Sequence, residues 1–486
     1  MIQAELTATL GSLDMGHRIA GASVTGRDAL GAVLDPGKGA VISHVRYGDA
    51  ADVDEAVAAA RHAFQKTWRQ ARPLHRARVL MAASVLLTQQ ADRFAVVECV
   101  NVGKPLREAR NDVVTAARFL EYYAGVADKL EGESIPLGPD MAVWTEREPA
   151  GVTGHIVPWN APLVMMVRGL APALAAGCTA VVKPAEATPL TALMFADLMQ
   201  AAGLPDGVVN VVIGAGAVVG AALARHPDVN HVTFTGSVAT GKAVMAMAAG
   251  HLATVTLELG GKSPLVILAD ADIDAAIQGI MRGGFTNSGQ ICAASSRVIV
   301  ASSVFETVTE RLAAAVRVKR LGYGLDDPDI GPLISSGQRD RVEAAVVDAR
   351  DAGCQILQGG DRARIGTGEG YFFEPTLVVA RPDDDVAQNE IFGPVLCLLR
   401  ADGLEEAIAI SNNSRYGLMA GIYATDLSSA LRYARQVEAG QVFINNYLAG
   451  GVETPVGGVK DSGFGREKGL RGLDAYLRTK CITVAM

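Results

Sequence analysis

The fold is decided by residues 151–183, which read GVTGHIVPWNAPLVMMVRGLAPALAAGCTAVVK. An apolar run over 154–159 predicts a strand, and the run over 163–176, which Gly177 follows, predicts a helix that ends at a glycine. A third short run, 179–183, predicts the next strand. Strands joined by a helix of this length pair in parallel, so the stretch predicts one strand–helix–strand crossover unit.

The alternation of strand and helix continues on the C-terminal side of this unit. Strands are predicted at 208–213 and 231–234, and Ser237 is predicted to cap a helix that runs to 249. A second alternating stretch begins near Thr254, with its strands predicted at 256–259, 265–268, 298–300, 395–399, 420–424 and 442–445. The pattern predicts an α/β protein with two Rossmann-like parallel-sheet domains.

The remaining segments divide the chain further. The first 120 residues are predicted to be mostly helical, and the β-type tail 480–486 is predicted to pair with the extended piece 142–148. Such small β arms often pair across subunits, so we expect an oligomer, either a homodimer or a homotetramer. The predicted units are 1–125 with 150–255, then 256–460, and an oligomerisation or bridging segment made of 126–149 and 461–486.

Composition excludes several classes of protein. The 486 residues exceed one hydrophobic core, and the net charge of −8, without a basic run, argues against a nucleic-acid partner. No signal peptide is predicted at the N-terminus, and the longest apolar stretch, 208–224, is too interrupted to span a membrane. The six cysteines include no CxxC pair and the eight histidines no HxxxH pair, so we expect free thiols, no metal site and a cytoplasmic protein.

Two glycine-containing turns are candidates for a dinucleotide site. The segment 214–220 approximates GxGxxG, but its third glycine comes one residue late and no acidic residue lies about 20 positions on, so an ordinary strand-to-helix turn is favoured. In the segment 234–241 the strand ends at Gly236 and Ser237 can cap the next helix. Helix N-termini bind phosphate through free N–H groups, but an ordinary capped helix explains this segment equally well.

Four further segments carry chemically useful side chains. Cys292 follows a Gly-Gln turn where its sulfur can be exposed, although a lone cysteine is by default a small buried hydrophobe. Glu258 interrupts an apolar strand just before two glycines, which suits a general base or merely a surface or helix-dipole glutamate. Asn160 follows one predicted strand and Lys183 ends another, at the sheet edge where α/β proteins bind ligands.

Together these segments resemble the aldehyde dehydrogenase superfamily. The motifs that match appear in the family's order over nearly the whole chain: VPWN (157–160), APALAAG (171–177), KPAE (183–186), FTGS (234–237), LELGGK (257–262), GQIC (289–292), EIFGP (390–394) and GFGRE (463–467). The resemblance implies a cofactor-binding domain in the first unit, a catalytic domain in the second and a small β oligomerisation arm. It also implies oxidation of an aldehyde to a carboxylic acid.

The resemblance assigns catalytic roles to three residues. Cys292 resembles the nucleophile that forms a thiohemiacetal and then a thioester, and Asn160, with the backbone N–H of Cys292, resembles the oxyanion hole. Glu258 resembles the base that activates the hydrolytic water.

The resemblance also implies a nicotinamide cofactor. Glu390 resembles the ligand of the nicotinamide ribose, with Phe392 beside the ring. Lys183 and Glu186 resemble ligands of the adenosine ribose, and Ser237 resembles the pyrophosphate contact. Because a carboxylate repels a 2′-phosphate, NAD is expected in preference to NADP. The other residues of this predicted cofactor surface are Trp159 and Gly236.

One departure from the family bears on the substrate. Arg168 occupies a tunnel position where many members carry tryptophan, and semialdehyde dehydrogenases for carboxylate-bearing substrates often have arginine there. A guanidinium can hold a carboxylate in bidentate fashion, so a substrate such as succinate semialdehyde is a hypothesis. Against it, Thr286 stands where those enzymes tend to have a second arginine, Gly169 replaces a basic residue, and Val456 replaces an aromatic one. A structural ion pair of Arg168 is an equally weighted alternative.

Three other functions compete with this prediction. A dehydrogenase that releases the acyl group to coenzyme A is disfavoured because Glu258 is retained as a base for water. A non-catalytic structural or binding relative is disfavoured because both Cys292 and Glu258 are present. A thiol hydrolase without cofactor leaves the cofactor-type motifs unexplained.

Overall fold

The first sheet of the protein has a parallel centre with antiparallel edges. The computed structural model describes residues 2–366 and 368–486. Its strands, in spatial order, are Ala22–Val24, His17–Ile19, Val209–Val211, Thr179–Lys183, Val152–Ile156, His231–Thr235, Thr254–Glu258 and Gly463–Phe464. The five central strands pair in parallel. Helical crossovers between parallel strands cover both faces of a sheet, which is why these strands are apolar.

Helices cover both faces of this sheet. They are Ile2–Ser12, Ala50–Ala63, Pro73–Gln89, Ala91–Val102, Leu106–Val126, Pro162–Ala176, Leu190–Ala201, Ala221–Arg225 and Val238–Ala249. Two of their ends follow the predicted signals. Gly177 ends its helix in the left-handed region at φ 98°, and the Ser237 side chain accepts a hydrogen bond from the Thr240 N–H at the start of Val238–Ala249.

The second sheet is also mostly parallel. Its strands, in spatial order, are Gln355–Gln358, Thr376–Val379, Val395–Ala401, Arg297–Ala301, Pro264–Ile267, Met419–Tyr423 and Gln441–Ile444. The helices of this unit are Ile273–Phe285, Phe305–Arg317, Ser336–Asp351, Asp385–Gln388, Leu404–Asn412 and Leu427–Gln436. Apolar clusters fill both faces, and the prediction of two parallel-sheet α/β units is confirmed.

Short pairings and turns complete the described chain. Met141–Pro149 pairs antiparallel with Leu477–Ala485, which confirms the predicted contact between the tail and the extended piece. The other small sheets join Leu30–Asp35 with Ala40–Arg46 and Tyr416–Gly417 with Val459–Lys460. Short stretches of 3-10 or π helix occur at Phe64–Trp68, Gly216–Gly220, Thr286–Gly289, Ser302–Val304, Gly324–Asp326 and Leu470–Tyr476.

Several details of the strand assignment differ from the sequence analysis, and the strands His17–Ile19, Ala22–Val24 and Gly463–Phe464 of the first sheet were not predicted. Thr254–Glu258 was expected to open the second unit, but it pairs in parallel with His231–Thr235 and therefore belongs to the first sheet. The helix Val238–Ala249 is its crossover, and the chain leaves the first sheet only afterwards, at Gly260. The edge strand Gln355–Gln358 was not predicted because it contains only two apolar residues, and its neighbour Thr376–Val379 was not predicted either.

Among residues 2–366 and 368–486, no helix is both long and apolar enough to cross a membrane. Over the same ranges no group of three or more His, Cys, Asp or Glu side chains is arranged to hold a metal ion.

Candidate active site

A cavity of about 710 Å³ brings together most of the predicted site residues. It lies where strands of the first sheet end and the chain crosses to the second unit. The predicted residues that line it are Trp159, Asn160, Gly236, Ser237, Glu258, Cys292, Glu390 and Phe392. Side chains from segments more than 200 residues apart therefore face one space. Lys183, Glu186 and Arg168 are not part of this lining and are held by other contacts.

Cys292 follows a turn with an unusual backbone. Asn287, Ser288 and Gly289 have φ values of 49°, 58° and 72°, all in the left-handed region. Such a run is strained for side chains other than glycine and persists only where neighbouring groups hold it. The Gln290 side chain is one such group, because its amide donates to Asn287 O at 3.0 Å and accepts from the Ile334 N–H at 2.9 Å. The turn leaves Cys292 half-buried against the cavity.

Asn160 is joined to that turn by two hydrogen bonds. Its Nδ2 donates to Gln290 O at 2.9 Å, and Asn287 Nδ2 donates to Asn160 O at 2.9 Å. Asn160 is 4% exposed, so its orientation is set by these contacts rather than by water. A primary amide carries two N–H donors, and the bond to Gln290 uses one of them. The second is available to an oxygen atom in the cavity.

Cys292 is a thiol in its resting environment. Burial raises the pKa of Cys292 to about 11, the positive charge of Arg168 lowers it, and the carboxylates of Glu258 and Glu390 raise it further. The thiolate is the reactive form, so nucleophilic attack requires a nearby group that takes the proton.

Glu258 is a carboxylate that lines the same cavity as Cys292. It is the last residue of the strand Thr254–Glu258, 3% exposed, and its Oε1 has no hydrogen-bond partner among the described residues. Burial raises the pKa of Glu258 well above its ordinary value, and the neighbouring charge of Glu467 raises it too, whereas Arg168 and Arg466 lower it. A carboxylate with a raised pKa is a stronger base, as general-base catalysis near neutral pH requires.

Arg168 forms a buried ion pair with Glu467. Its Nε contacts Glu467 Oε2, and the two residues are 8% and 4% exposed. The ion-pair alternative for Arg168 is therefore present in the structure. Arg168 Nη2 is buried and has no hydrogen-bond partner in the described chain, so one donor of the guanidinium remains unused.

One half of the predicted cofactor surface lies beside Cys292. Glu390 Oε1 accepts a hydrogen bond from the Gly261 N–H at 3.1 Å, and burial raises the pKa of Glu390 to about 7. A Cβ on Gly260 would lie 2.2 Å from Glu390 Oε2, so only glycine allows this approach. The Trp159 and Phe392 rings meet edge to face with centroids 5.2 Å apart. A carboxylate thus stands beside an aromatic wall.

The other half of the predicted cofactor surface lies at the end of the strand Thr179–Lys183, which pairs with Val152–Ile156. Lys183 Nζ is 2.8 Å from Glu186 Oε2, and Glu186 Oε1 accepts from the Gly216 N–H at 2.5 Å. Burial works to raise the pKa of Glu186, but the Lys183 ammonium and these hydrogen bonds hold the pKa below its ordinary value. Glu186 is therefore a carboxylate at neutral pH.

The two halves suit a dinucleotide. Glu186 and Glu390 provide one carboxylate each for two ribose diols. The helix Val238–Ala249, capped by Ser237, lies on the same sheet and directs free N–H groups outward. The turn 214–220 contributes through the Gly216 N–H, a contact that its imperfect glycine spacing did not reveal.

Several residues of the site were not predicted. Met165, Gln338 and Arg341 line the cavity, and the helix Ser336–Asp351, which carries Gln338 and Arg341, contains none of the family motifs. Glu467 closes the GFGRE motif, which marked the segment but not its pairing with Arg168.

Comparisons with known proteins agree over nearly the full length. The sequence pattern of the aldehyde dehydrogenase family matches residues 24–482. Aldehyde dehydrogenase 1 of Tanacetum cinerariifolium is 41% identical over 456 residues, covering 93% of this chain and 91% of that protein.

Two solved structures also match the chain over nearly its full length. A betaine aldehyde dehydrogenase from Staphylococcus aureus, crystallised with NAD+, is 35% identical with a TM-score of 0.97, covering 100% of this chain and 97% of that one. PnpE from Pseudomonas sp. WBC-3 is 38% identical with a TM-score of 0.95, covering 97% and 98% of the two chains.

Proposed function

The chain belongs to the aldehyde dehydrogenase family, and on this premise we propose that it oxidises an aldehyde to a carboxylic acid with NAD through a thioester on Cys292. The observation that carries the proposal is the convergence of a thiol, an amide and a carboxylate on one cavity. Cys292, Asn160 and Glu258 all line it, and Asn160 is hydrogen-bonded to the turn that bears the cysteine.

The first step is attack of the Cys292 sulfur on the aldehyde carbon. The thiol proton passes to the Glu258 carboxylate, the S–C bond forms, and the carbonyl π electrons move to oxygen. The free Nδ2 donor of Asn160 and the Cys292 N–H then stabilise that oxygen. A preorganised donor of this kind contributes roughly 3 kcal/mol to the transition state.

A bound nicotinamide would supply the acceptor for the hydride that leaves the former aldehyde carbon, which leaves a thioester. Glu390 and the wall formed by Trp159 and Phe392 would hold the nicotinamide riboside, and Ser237 with Gly236 the pyrophosphate. Lys183 and Glu186 would hold the adenosine ribose. The ionised Glu186 would repel a 2′-phosphate, so NAD is preferred over NADP.

Hydrolysis of the thioester returns the enzyme to its starting state. Glu258 first releases the thiol proton to solvent and then takes one proton from a water molecule, the water oxygen attacks the thioester carbon, and the C–S bond breaks. Glu258 passes its new proton to the Cys292 sulfur, and the product loses the second water proton to solvent and leaves as a carboxylate. The raised pKa of Glu258 suits this step because a stronger base removes the water proton more readily.

The substrate class depends on Arg168. A carboxylate-bearing semialdehyde would be held by the unused Nη2 donor, whereas the Nε side already contacts Glu467. A second carboxylate beside this pair would share one positive charge with Glu467. The clamp on a substrate carboxylate therefore competes with the ion pair, and substitution of Arg168 separates the two.

We also propose how the units divide the work. Residues 1–125 and 150–255 would bind NAD and 256–460 would carry catalysis, with the difference that residues 256–258 end a strand of the first sheet. The segments 126–149 and 461–486 contain the antiparallel arm, whose free edge would join subunits of a cytoplasmic homodimer or homotetramer.

Rapid mixing tests the chemistry. Mixing the enzyme and NAD with an aldehyde should give a burst of NADH equal to the concentration of active sites, and Cys292→Ala should give none. The product should be the free carboxylic acid, with the same yield with and without coenzyme A. A burst in the Cys292→Ala variant, or a product that forms only with coenzyme A, would contradict the proposed function.

A further inference from the structure

A carboxylate from a distant helix contacts the turn that carries Cys292. Glu108, in the helix Leu106–Val126, accepts a hydrogen bond from the Asn287 N–H at 2.8 Å. Glu108 lies 179 residues away in sequence and is not part of the cavity lining. Of the hydrogen bonds described for the turn 286–292, this is the one that goes to an ionisable side chain.

The contact falls at the start of the strained backbone. Asn287 is the first of the three consecutive left-handed residues, and it is buried. At the third, a Cβ on Gly289 would lie 2.1 Å from Gly393 O, so the turn is pressed against the backbone of the segment 390–394. A backbone of this kind relaxes when a group that holds it is removed.

Asn287 passes the contact on to the reacting groups. Its backbone N–H is bound by Glu108, while its side-chain Nδ2 donates to Asn160 O. Asn160 in turn donates to Gln290 O, two residues before Cys292. A shift of Asn287 would therefore move both the oxyanion donor and the sulfur.

We propose that Glu108 is a positioning residue: its carboxylate fixes Asn287 and thereby sets Asn160 against Cys292. The proposal rests on the proposed role of Cys292 as the nucleophile. Glu108 itself touches neither substrate nor cofactor, so its effect should fall on the formation of the thioester and not on the binding of NAD.

The charges around Glu108 make the contact sensitive to pH. Burial raises the pKa of Glu108 to about 7, the Asn287 N–H, Lys104 and Arg107 lower it, and Asp112 raises it. Hydrogen bonds to an ionised acceptor are stronger than those to a neutral one. The hold on Asn287 should therefore weaken as the pH falls through about 7.

Three variants test the proposal. Glu108→Leu removes the acceptor, Glu108→Gln keeps a neutral acceptor, and Glu98→Gln is the matched control. Glu98 is a buried carboxylate 3.5 Å from Lys104, in the same charged cluster but without a described hydrogen bond to the turn. Each variant is compared with wild type by the rate of the NADH burst, by the KM for NAD and by alkylation of Cys292 with iodoacetamide, followed by peptide mass spectrometry.

Glu108→Leu should slow the burst by ~10- to 100-fold, because small misplacements of reacting groups cost this much. Its KM for NAD should stay unchanged, its alkylation rate at Cys292 should change, and Glu108→Gln should recover most of the burst rate. Glu98→Gln should keep the wild-type burst rate even where it lowers the melting temperature. A wild-type burst in Glu108→Leu, or an equal loss in Glu98→Gln, would overturn the proposal.

Should Glu108→Leu fail to fold, the glutamine variant decides. The ratio of wild-type to Glu108→Gln alkylation rates at Cys292 should change as the pH crosses about 7, because only the wild-type group titrates. A constant ratio from below to above that pH would overturn the proposal. Absence of an NADH burst in the wild type would instead count against the proposed function, since alkylation reads the turn without any aldehyde.

Discussion

Two substitutions in the ion pair beside Glu258 should shift the pH dependence of thioester hydrolysis in opposite directions. Glu467 raises the pKa of Glu258, and Arg168 lowers it. Glu467→Gln should therefore lower the pKa of Glu258, and Arg168→Gln should raise it. If the ion pair had only a structural role, both variants would lose activity without shifting the pH profile in opposite directions.

The size of the shift follows from the burial of the pair. Arg168 and Glu467 are 8% and 4% exposed, so water screens their charges weakly. Removing one charge near a buried carboxyl shifts its pKa by about one unit or more, which is a tenfold change in the ionised fraction. Glu258 acts as the carboxylate, above its pKa. The acid limb of the profile should therefore move to lower pH in Glu467→Gln and to higher pH in Arg168→Gln.

The assay measures the rate at which the acyl-enzyme is hydrolysed in a single turnover. Samples are quenched in acid after set times, and the rate is determined at several pH values along the acid limb of the profile. Each variant leaves one buried charge unpaired, at a cost of about 3–5 kcal/mol in the free energy of unfolding, so melting curves must first define where both stay folded. Arg118→Gln is the matched control, because Arg118 pairs with Glu453 at 2.6 Å on the surface. Limbs that move in the same direction, or not at all, would refute the reasoning.

Three further substitutions test single residues. Asn160→Ala should lower the rate of the NADH burst by ~100- to 1,000-fold with unchanged NAD affinity, since it removes an oxyanion donor; a wild-type burst would exclude that role. Glu186→Gln should raise kcat/KM for NADP relative to NAD by about tenfold, because it removes a charge that repels the 2′-phosphate; an unchanged ratio would contradict the assignment. Arg168→Ala should lower kcat/KM alike for succinate semialdehyde and a neutral aldehyde of similar length, because the guanidinium is paired with Glu467; a loss confined to the semialdehyde would support the clamp.

Local sequence predicted the elements well and their assembly less well. Apolar runs bounded by glycine identified strands such as Thr179–Lys183, because this pattern depends on neighbouring residues alone. The strand Thr254–Glu258 was recognised, but its sheet was not, since the choice of sheet depends on a pairing with His231–Thr235. Gln355–Gln358 was missed because an edge strand with only two apolar residues lacks a distinct pattern.

In the candidate active site, too, the residues were predicted from the sequence but the contacts between them were not. Cys292, Asn160 and Glu258 were identified through motifs, and the structure places them on one cavity, but their roles stay predictions until measured. The ion pair Arg168–Glu467 joins residues 299 positions apart, and the hydrogen bond between Glu108 and Asn287 joins residues 179 positions apart. No local pattern encodes such pairs, because either partner alone is an ordinary charged or polar side chain.

Covalent chemistry at Cys292 is tested most directly in the Glu258→Gln variant, which should form the thioester slowly, because solvent must take the thiol proton in place of Glu258, and should fail to hydrolyse it. The variant is mixed with NAD and an aldehyde, quenched in acid, digested and analysed by mass spectrometry. The account predicts that the peptide containing Cys292 gains the mass of the acyl group. An unmodified peptide despite NADH formation, or an acyl group on the half-buried Cys354 instead, would contradict it.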